Sequence, residues 1–243
     1  LITISIAVYR GLTTYLLMIL CGLTCFALYV ISFGLLRSII AEHVFPLFCR
    51  SILFLIGIKV VKPSKAALPD KPVVYMFNHN SFLDIFIVPT LGLKNTRFII
   101  SKRTKKILPL YLCNLAAGAL FIPFKNESAE RLKFFENTEE QLLKNDFSII
   151  CAPEGVHRFN NKINNFNKGV FHMATIGKRP ICPLYFHIPK ESNPLEGYSY
   201  MAGTVTVELM PLVDTSMWRA EDVKTNTENV RTLFQQKFME KNK

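Results

Sequence analysis

The sequence predicts an α/β fold, in which a central sheet of mostly parallel or mixed strands is flanked by helices, preceded by two apolar helices. The first observation is an apolar N-terminal region, made of a charge-free run at residues 11–36 and a second apolar segment at residues 38–61. The second is that, beyond Pro63, short apolar runs alternate with polar, helix-like segments, which is typical of α/β domains. We therefore divide the chain into N-terminal helices at residues 1–62 and an α/β domain at residues 63–243.

The N-terminal region has the composition of a membrane anchor. Arg10 and Arg37 bracket residues 11–36, and a helix of that length can cross the hydrocarbon core of a bilayer. Residues 38–61 contain a few charges and end among lysines, so we interpret them as a helix that returns to or lies in the membrane interface. A buried helix of the α/β domain is the alternative for this second segment, and the first segment either spans the bilayer or dips into it and returns.

The α/β region is predicted to contain six strands and five helices. Alternation of apolar and polar residues is clearest in the last strand, which contains the run TVTVEL. The predicted strands are residues 73–77, 97–101, 119–122, 148–152, 181–186 and 203–210, and the predicted helices are residues 82–89, 105–115, 128–144, 168–176 and 220–241.

The overall charge restricts the classes of partner. The chain carries 29 Lys and Arg against 18 Asp and Glu, a formal net charge of +11, and half of its residues are apolar. This balance excludes a disordered chain and indicates a polyanionic partner, either nucleic acid or an anionic lipid surface. Because aromatic residues are not interleaved with the basic ones as a stacking platform for bases requires, we expect no nucleic acid.

The cysteines indicate neither a metal site nor a disulfide framework. Their spacing lacks the pairs typical of zinc sites, and their density is below that of disulfide-rich secreted domains. We therefore expect no metal and predict buried, reduced thiols that pack as small apolar side chains. The six are Cys21, Cys25, Cys49, Cys113, Cys151 and Cys182.

A histidine and an aspartate follow the strand predicted at residues 73–77. His79 and Asp84 are five residues apart, a spacing that can place the carboxylate against one ring nitrogen. The other nitrogen can then take a proton from an alcohol or a thiol. The alternative is structural, with Ser81 or Asp84 capping a helix beside a hydrogen-bonded histidine.

A second polar cluster, CAPEGVHR at residues 151–158, follows the strand predicted at residues 148–152. It offers a carboxylate, a glycine that lets the backbone approach a ligand, and two side chains suited to phosphate. The basic run SKRTKK at residues 101–106 lies between the two clusters in the sequence, and a solvated charged surface is its alternative role. Loops that follow strands of one sheet lie at one edge, so we predict a single shared site.

These motifs resemble those of a known family. The seven-residue run NHNSFLD at residues 78–84 is similar to the NHxSxxD signature of the lysophosphatidic acid (1-acylglycerol-3-phosphate) acyltransferases. This family belongs to the PlsC-like glycerolipid acyltransferase superfamily. Later blocks follow in the family's order, and the resemblance covers about residues 60–210. The second block is Lys102 with Pro109, Gly118 and Phe121-Ile122. The third is Pro153-Glu154-Gly155, and the fourth is Phe166-Asn167-Lys168-Gly169 with Pro180-Ile181-Cys182-Pro183.

Two departures fall where the family is thought to hold the acceptor's phosphate. The third block usually reads Glu-Gly-Thr-Arg, whereas here Val156 and His157 stand between the glycine and Arg158. The second block usually ends Ile-x-Arg, whereas here Phe124 and Lys125 occupy the end. These departures affect the expected identity of the acceptor more than the expected reaction, because His79 and Asp84 are both present.

The resemblance implies transfer of a fatty acyl group to the free hydroxyl of lysophosphatidic acid, giving phosphatidic acid in phospholipid biosynthesis. The donor would be an acyl thioester, acyl-CoA or acyl carrier protein, acting as co-substrate without a cofactor. His79 would be the catalytic base and Asp84 would orient it. Alternatives are another acceptor, such as glycerol-3-phosphate, a different lysophospholipid or an aminolipid, and an inactive lipid-binding relative. The residues expected to bind substrate are Asn78, Ser81, Lys102, Arg103, Glu154, Gly155, Val156, His157 and Arg158.

A membrane location is consistent with this chemistry. The expected partners are membrane lipids, namely the lysophospholipid acceptor and the anionic bilayer surface, together with the acyl donor. Lysines are far more numerous after residue 61 than before it. We therefore expect the catalytic domain on the cytoplasmic face of the membrane.

Overall fold

The computed structural model describes residues 2–79, 81–155, 162–193 and 201–241, with side chains from residue 8 onward. Within these ranges the chain forms seven strands and eight α-helices, with a π-helical turn at Ile40–Val44 between α2 and α3. The strands are β1 Ile58–Val61, β2 Val74–Phe77, β3 Thr96–Ser101, β4 Leu120–Ile122, β5 Ser148–Cys151, β6 Ile181–His187 and β7 Gly203–Leu209. The helices are α1 Ile2–Ile31, α2 Arg37–Ile39, α3 Phe45–Leu55, α4 Asp84–Thr90, α5 Leu108–Ala116, α6 Ser128–Lys144, α7 Gly169–Ile176 and α8 Val223–Lys241.

The seven strands form one mixed sheet, in the order β1-β7-β6-β2-β5-β3-β4. Strands β2 to β6 all run parallel, β7 is antiparallel to β6, and β1 is parallel to β7. This arrangement confirms the predicted α/β fold class. It also places the carboxyl ends of β2, β5 and β3 side by side at one edge of the sheet, which is where the predicted site residues follow.

Helices cover both faces of the sheet. Tyr75 and Phe77 of β2 lie in one apolar core with residues of α1, α3, α4 and α5, whereas Val74 and Met76 lie in a second core with residues of α6, α7 and α8. A central strand covered on both faces has no solvent side. For this reason β2 and β5 are continuous apolar runs rather than alternating ones.

The helix predicted over residues 38–61 is wrong at its end. Helix α3 ends at Leu55, Gly57 follows with a φ of +80°, and residues 58–61 form strand β1 beside β7. A glycine in the left-handed region is a common way to end a helix, and the β-branched run that follows favours a strand. The sheet therefore starts before residue 63, and the division of the chain at residues 62 and 63 stays a prediction.

The N-terminal helices differ from the predicted limits at residues 11–36. Helix α1 begins at Ile2 and ends at Ile31, and the chain turns where Gly34 has a φ of +79°. Two described segments, Val8–Ile31 and Arg37–Leu55, are long and apolar enough to cross a membrane. Only 17% of the first segment is buried, whereas the core helix of a soluble protein is mostly buried.

Helix α1 packs along α5, and cysteines meet at this contact. Cys21, Cys25 and Cys113 are all buried, and their sulfur atoms lie within 4.8 Å of one another. The Sγ atoms of Cys21 and Cys113 are 3.3 Å apart. In the described part of the chain this is the one group of three side chains with close potential metal ligands, and it does not include His79 or Asp84. The expectation of no metal stays a prediction.

The contact of α1 with α5 depends on Gly22, and a methyl group there should weaken it. A Cβ at Gly22 would lie 2.7 Å from the backbone oxygen of Pro109, whereas one at Gly11, also in α1, would meet nothing within 4 Å. Overpacking of this kind costs about 1–3 kcal/mol, so Gly22→Ala should lower the thermal midpoint by roughly 2–12 °C in detergent. Gly11→Ala is the matched control and should leave the midpoint unchanged or raise it, because alanine is the better helix former. Equal midpoints for the two variants would contradict the close packing.

Candidate active site

The predicted site residues lie in three loops at the carboxyl edge of the sheet. The loop at residues 78–83 follows β2, residues 152–155 follow β5, and residues 102–106 follow β3. Because β5 lies between β2 and β3, the three loops are neighbours. The topology therefore places these clusters at one edge of the sheet, and the expectation that they form one shared site stays a prediction.

His79 and Asp84 form a hydrogen-bonded pair. The Nδ1 atom of His79 lies 2.7 Å from Oδ2 of Asp84, which is buried at the first residue of α4. The same carboxylate oxygen is 3.4 Å from the backbone N–H of Ser81, and Oγ of Ser81 accepts from the backbone N–H of Leu83. The N-cap residue of α4 is Leu83, which has no side-chain cap, so Ser81 orders the turn before the helix and thereby brings the carboxylate of Asp84 to the imidazole.

The surroundings of His79 favour its protonated form. Burial by itself lowers the pKa of His79, but the hydrogen bond and negative charge of Asp84, with the charge of Glu154, outweigh it and hold the pKa above 6.5. With Nδ1 directed at a carboxylate, a neutral imidazole carries its proton on Nδ1 and presents Nε2 as the basic atom. This arrangement can accept a proton from a hydroxyl group and return it to a leaving group.

Glu154 joins the loop after β2 to the loop after β5. Its Oε1 atom accepts the backbone N–H of His79 at 2.9 Å. Its Oε2 atom accepts from both the backbone N–H and the side-chain amide of Asn164, at 2.9 and 2.7 Å. Glu154 is buried, so these donors offset the cost of removing its charge from water. Asn164 lies outside every sequence motif described above, so nothing in the sequence indicates this contact.

Gly155 permits a close contact with Asn167. It has a φ of +69°, and a Cβ at this position would lie 2.6 Å from the side-chain nitrogen of Asn167. That nitrogen donates to the backbone oxygens of Pro153 and Glu154, at 2.9 Å each. The glycine thus admits a side chain of this same protein that holds the loop, and the prediction that Gly155 lies against a ligand stays a prediction.

Asn78 bridges the ends of β2 and β6. Its side-chain nitrogen donates to the backbone oxygen of Phe186 at 2.9 Å, and its side-chain oxygen accepts the backbone N–H of Phe186 at 2.7 Å. Asn78 is fully buried. These bonds extend the pairing of β2 with β6 beyond the last strand residue, and the expectation that Asn78 binds substrate stays a prediction.

Lys102 is engaged by two carboxylates. Its Nζ atom lies 3.0 Å from Oε1 of Glu127 and 2.9 Å from Oε2 of Glu130, and these hydrogen bonds raise the pKa of Lys102. The neighbouring Arg103 places its guanidinium 5.9 Å from the ring centre of Phe124. The roles of Lys102 and Arg103 in binding phosphate stay predictions, and a phosphate at Lys102 would have to compete with Glu127 and Glu130.

Three of the predicted substrate-binding residues, Val156, His157 and Arg158, lie outside the described residues. Their roles in binding the acceptor stay predictions. The described residues around them, up to Gly155 and from Lys162 onward, belong to the hydrogen-bonded loops of Glu154 and Asn164.

Comparison with known proteins places this chain in a family. The family model described as Acyltransferase matches residues 58–187, which is more than half of the chain. The human 1-acyl-sn-glycerol-3-phosphate acyltransferase beta is 24% identical over 194 residues, covering 79% of this chain and 69% of the relative. The bovine 1-acyl-sn-glycerol-3-phosphate acyltransferase alpha is 26% identical, covering 80% of this chain and 68% of the relative. These matches confirm the resemblance that the sequence motifs indicated.

A solved structure has the same fold. The crystal structure of the 1-acyl-sn-glycerophosphate (LPA) acyltransferase PlsC from Thermotoga maritima superposes with a TM-score of 0.66. The match covers 95% of this chain and 97% of that one, at 20% sequence identity. The likeness extends over the N-terminal helices as well as the sheet.

Replacing Asn78 should separate a structural role from a role in binding substrate. Asn78→Ala leaves a buried backbone N–H and carbonyl of Phe186 without their partner, which should cost about 2–4 kcal/mol of stability. The thermal midpoint of the purified protein measures this loss. Asn126→Ala, at an exposed asparagine, is the control and should leave the midpoint unchanged. An unchanged midpoint for Asn78→Ala with a raised KM for a substrate would instead identify Asn78 as a substrate contact.

Proposed function

The chain belongs to the acyltransferase family and is an acyltransferase, and we propose that it transfers a fatty acyl group from an acyl thioester to lysophosphatidic acid. The product would be phosphatidic acid, an intermediate of phospholipid biosynthesis. The hydrogen-bonded pair of His79 and Asp84 carries the proposal, because it provides a base at the edge of the sheet. The acceptor is suggested by the relatives, whose names give 1-acyl-sn-glycerol-3-phosphate as what they acylate.

The proposed reaction needs one proton to move twice. Nε2 of His79 takes the proton of the acceptor hydroxyl as its oxygen attacks the thioester carbonyl, while Nδ1–H donates to Asp84. The tetrahedral intermediate then collapses, the carbon–sulfur bond breaks, and the imidazolium returns the proton to the leaving thiolate. Asp84 stabilises the imidazolium between the two transfers, which accords with its effect on the pKa of His79. The products are an ester and a free thiol, so no net proton is consumed.

The leaving group of the proposed reaction is the thiolate of the acyl donor. We propose acyl-CoA or acyl carrier protein as the co-substrate and no further cofactor. On the acceptor, the phosphate is proposed to be held by Lys102 and Arg103 with His157 and Arg158, near the buried carboxylate of Glu154. Lys102 would have to exchange its contacts with Glu127 and Glu130 for contacts with phosphate oxygens.

We propose that α1 and the segment from α2 to α3 hold the protein in a membrane. Large apolar side chains on these helices are exposed, among them Leu12, Leu16 and Leu23 of α1 and Phe54 of α3. An exposed apolar surface of this extent needs an apolar neighbour. The bilayer would also deliver the lipid acceptor, and the excess of lysines after residue 61 favours a cytoplasmic catalytic domain.

A different acceptor is the second candidate function. It is favoured by Phe124, which stands where the family usually has arginine, and by the two carboxylates on Lys102. Both features weaken the attraction of this region for a phosphate monoester. A lysophospholipid with a larger headgroup and an aminolipid are the acceptors that these features favour. Glycerol-3-phosphate, a phosphate monoester like lysophosphatidic acid, completes the comparison.

Removal of the base tests the proposed function. In detergent, thiol release from palmitoyl-CoA should depend on lysophosphatidic acid, and His79→Ala should lower the rate by roughly 10²–10⁴-fold. His172→Ala, on α7 of the other helical layer, is the matched control and should retain the rate of the unsubstituted protein. Near-normal turnover by folded His79→Ala would end the proposed mechanism.

The choice of substrates defines the remaining outcomes of that assay. Turnover with another acceptor, or with palmitoyl carrier protein in place of palmitoyl-CoA, would keep His79 as the base and replace the proposed substrate. Absence of turnover with every acceptor and both donors would favour the inactive lipid-binding alternative. Each comparison of a variant requires that the variant is folded, with a thermal midpoint equal to that of the unsubstituted protein.

The pH profile should report the pair of His79 and Asp84. Neutral His79 is the active form, so kcat/KM should rise with pH through the pKa of His79, which lies above 6.5 because Asp84 stabilises the imidazolium. Asp84→Asn removes that negative charge, so this rising limb should move to lower pH and the maximal rate should fall. Titration of the acceptor's own phosphate is common to both proteins and cancels in the comparison. A limb that stays in place would mean that another group controls it.

A further inference from the structure

Three cysteine side chains meet where helix α1 packs on helix α5. Cys21 and Cys25 are four residues apart and lie on one face of α1, and Cys113 of α5 contacts them. The Sγ atom of Cys21 is 4.0 Å from that of Cys25 and 3.3 Å from that of Cys113. All three side chains are buried, and their sulfur atoms lie within 4.8 Å of one another. Three sulfur ligands arranged trigonally around one ion, with bonds of about 2.3 Å, would be about 4 Å apart.

The close approach of the two helix backbones permits this meeting. Gly22 follows Cys21, and a Cβ at Gly22 would lie 2.7 Å from the backbone oxygen of Pro109, one helical turn before Cys113. Cys113 is 92 residues from Cys21 in the sequence, so local spacing cannot indicate the cluster. The expectation of no metal was based on that spacing.

A small cavity beside the cluster offers sulfur atoms as its polarizable groups. Its volume is about 10 Å³, which is close to what one water molecule needs and far too small for an organic molecule. Met18, Cys21, Cys49 and Cys113 line it, and the other lining residues have apolar side chains without nitrogen or oxygen. The cavity therefore has room for a single ion, surrounded by thiol and thioether groups.

Ligands of this kind select a soft metal ion. Magnesium and calcium require oxygen ligands, and a closed structural zinc site usually has four ligands, whereas this cluster has three. Thiolate and thioether sulfur suit copper(I). Two thiolates and one protonated thiol around copper(I) carry a single negative charge, which limits the cost of burying the complex.

We propose that Cys21, Cys25 and Cys113 form a binding site for one copper(I) ion, with Met18 and Cys49 beside it. Each thiol that binds as a thiolate releases its proton to water, and copper keeps its oxidation state, so no oxidant or reductant is consumed. The bound ion connects α1 to α5 and thereby fastens the N-terminal helix to the α/β domain. It has no part in the proposed reaction, and the inference does not rest on the proposed function.

Competition for copper tests the site on the full chain in detergent. Copper(I) is titrated without oxygen against bicinchoninate, a coloured copper(I) chelator. The protein should bind one copper(I) per chain, and Cys21→Ala or Cys113→Ala should lower the affinity by about 100-fold or more, because a ligand is lost. Cys182→Ala is the matched control, since it removes a buried thiol from the same core but outside the cluster, and it should leave the affinity unchanged.

Two further measurements separate binding from general damage to the fold. Gly22→Ala keeps all three thiols but forces α1 away from α5, so it should lower the affinity for copper(I), whereas Gly11→Ala should not. Free copper(I) at 100 times its Kd should raise the thermal midpoint of the unsubstituted protein by about 5–10 °C. The midpoint of Cys113→Ala should rise much less.

The proposal is overturned if Cys21→Ala, Cys113→Ala and Cys182→Ala bind copper(I) equally well. X-ray absorption at the copper edge uses the unsubstituted protein and so requires no folded variant. It should show only sulfur neighbours, and nitrogen or oxygen neighbours would contradict the site. A disulfide between Cys21 and Cys113 in protein isolated without oxygen would also overturn it, because the pair would then be a redox couple. None of these measurements requires turnover, so absence of acyl transfer would count against the proposed function alone.

Discussion

The carboxylate of Glu154 is the interaction on which the candidate active site depends. It is buried, and it is satisfied by N–H groups from two separate parts of the chain, His79 and Asn164. A buried carboxylate is tolerated only when such donors are in place, so the position of the loop after β2 is tied to the position of residues 162–167. Asp84 then orients a ring whose backbone is already fixed. The proposed base is therefore positioned by two carboxylates, Asp84 acting on the imidazole and Glu154 on the main chain.

The two faces of the sheet supply different environments to this edge. One face is covered by α1, α3, α4 and α5, with exposed apolar side chains on α1 and α3, and the other by α6, α7 and α8, where α6 and α8 carry charged residues. A parallel strand covered on both faces ends where the two layers meet. His79 stands at that end, with Phe77 before it in the first core and Met76 in the second.

Most of the fold could be predicted from the sequence, because the strands and helices of the α/β domain are defined by local patterns. The helix at Ser128–Lys144 was predicted to the residue, and six strands were located within one or two residues. The seventh strand, β1, was missed because three apolar residues and one lysine after an apolar helix look like the continuation of that helix. Only pairing with β7, more than 140 residues away, makes them a strand. The closeness of Cys113 to Cys21 has the same origin, since it depends on how α1 packs against α5.

The same distinction holds in the candidate site: contacts between residues close in the sequence could be predicted, and contacts between distant residues could not. The pairing of His79 with Asp84 could be predicted because five residues of strand end and helix start nearly determine the distance between them. The partners of Lys102 lie 25 and 28 residues later in the chain, and those of Glu154 lie across a loop, so no local spacing indicates them. A motif identifies which side chain is present, whereas the charge that a substrate meets depends on what the fold has already placed against that side chain. For Lys102 this is a pair of carboxylates, which is why a lysine in a phosphate-binding motif is not by itself a phosphate site.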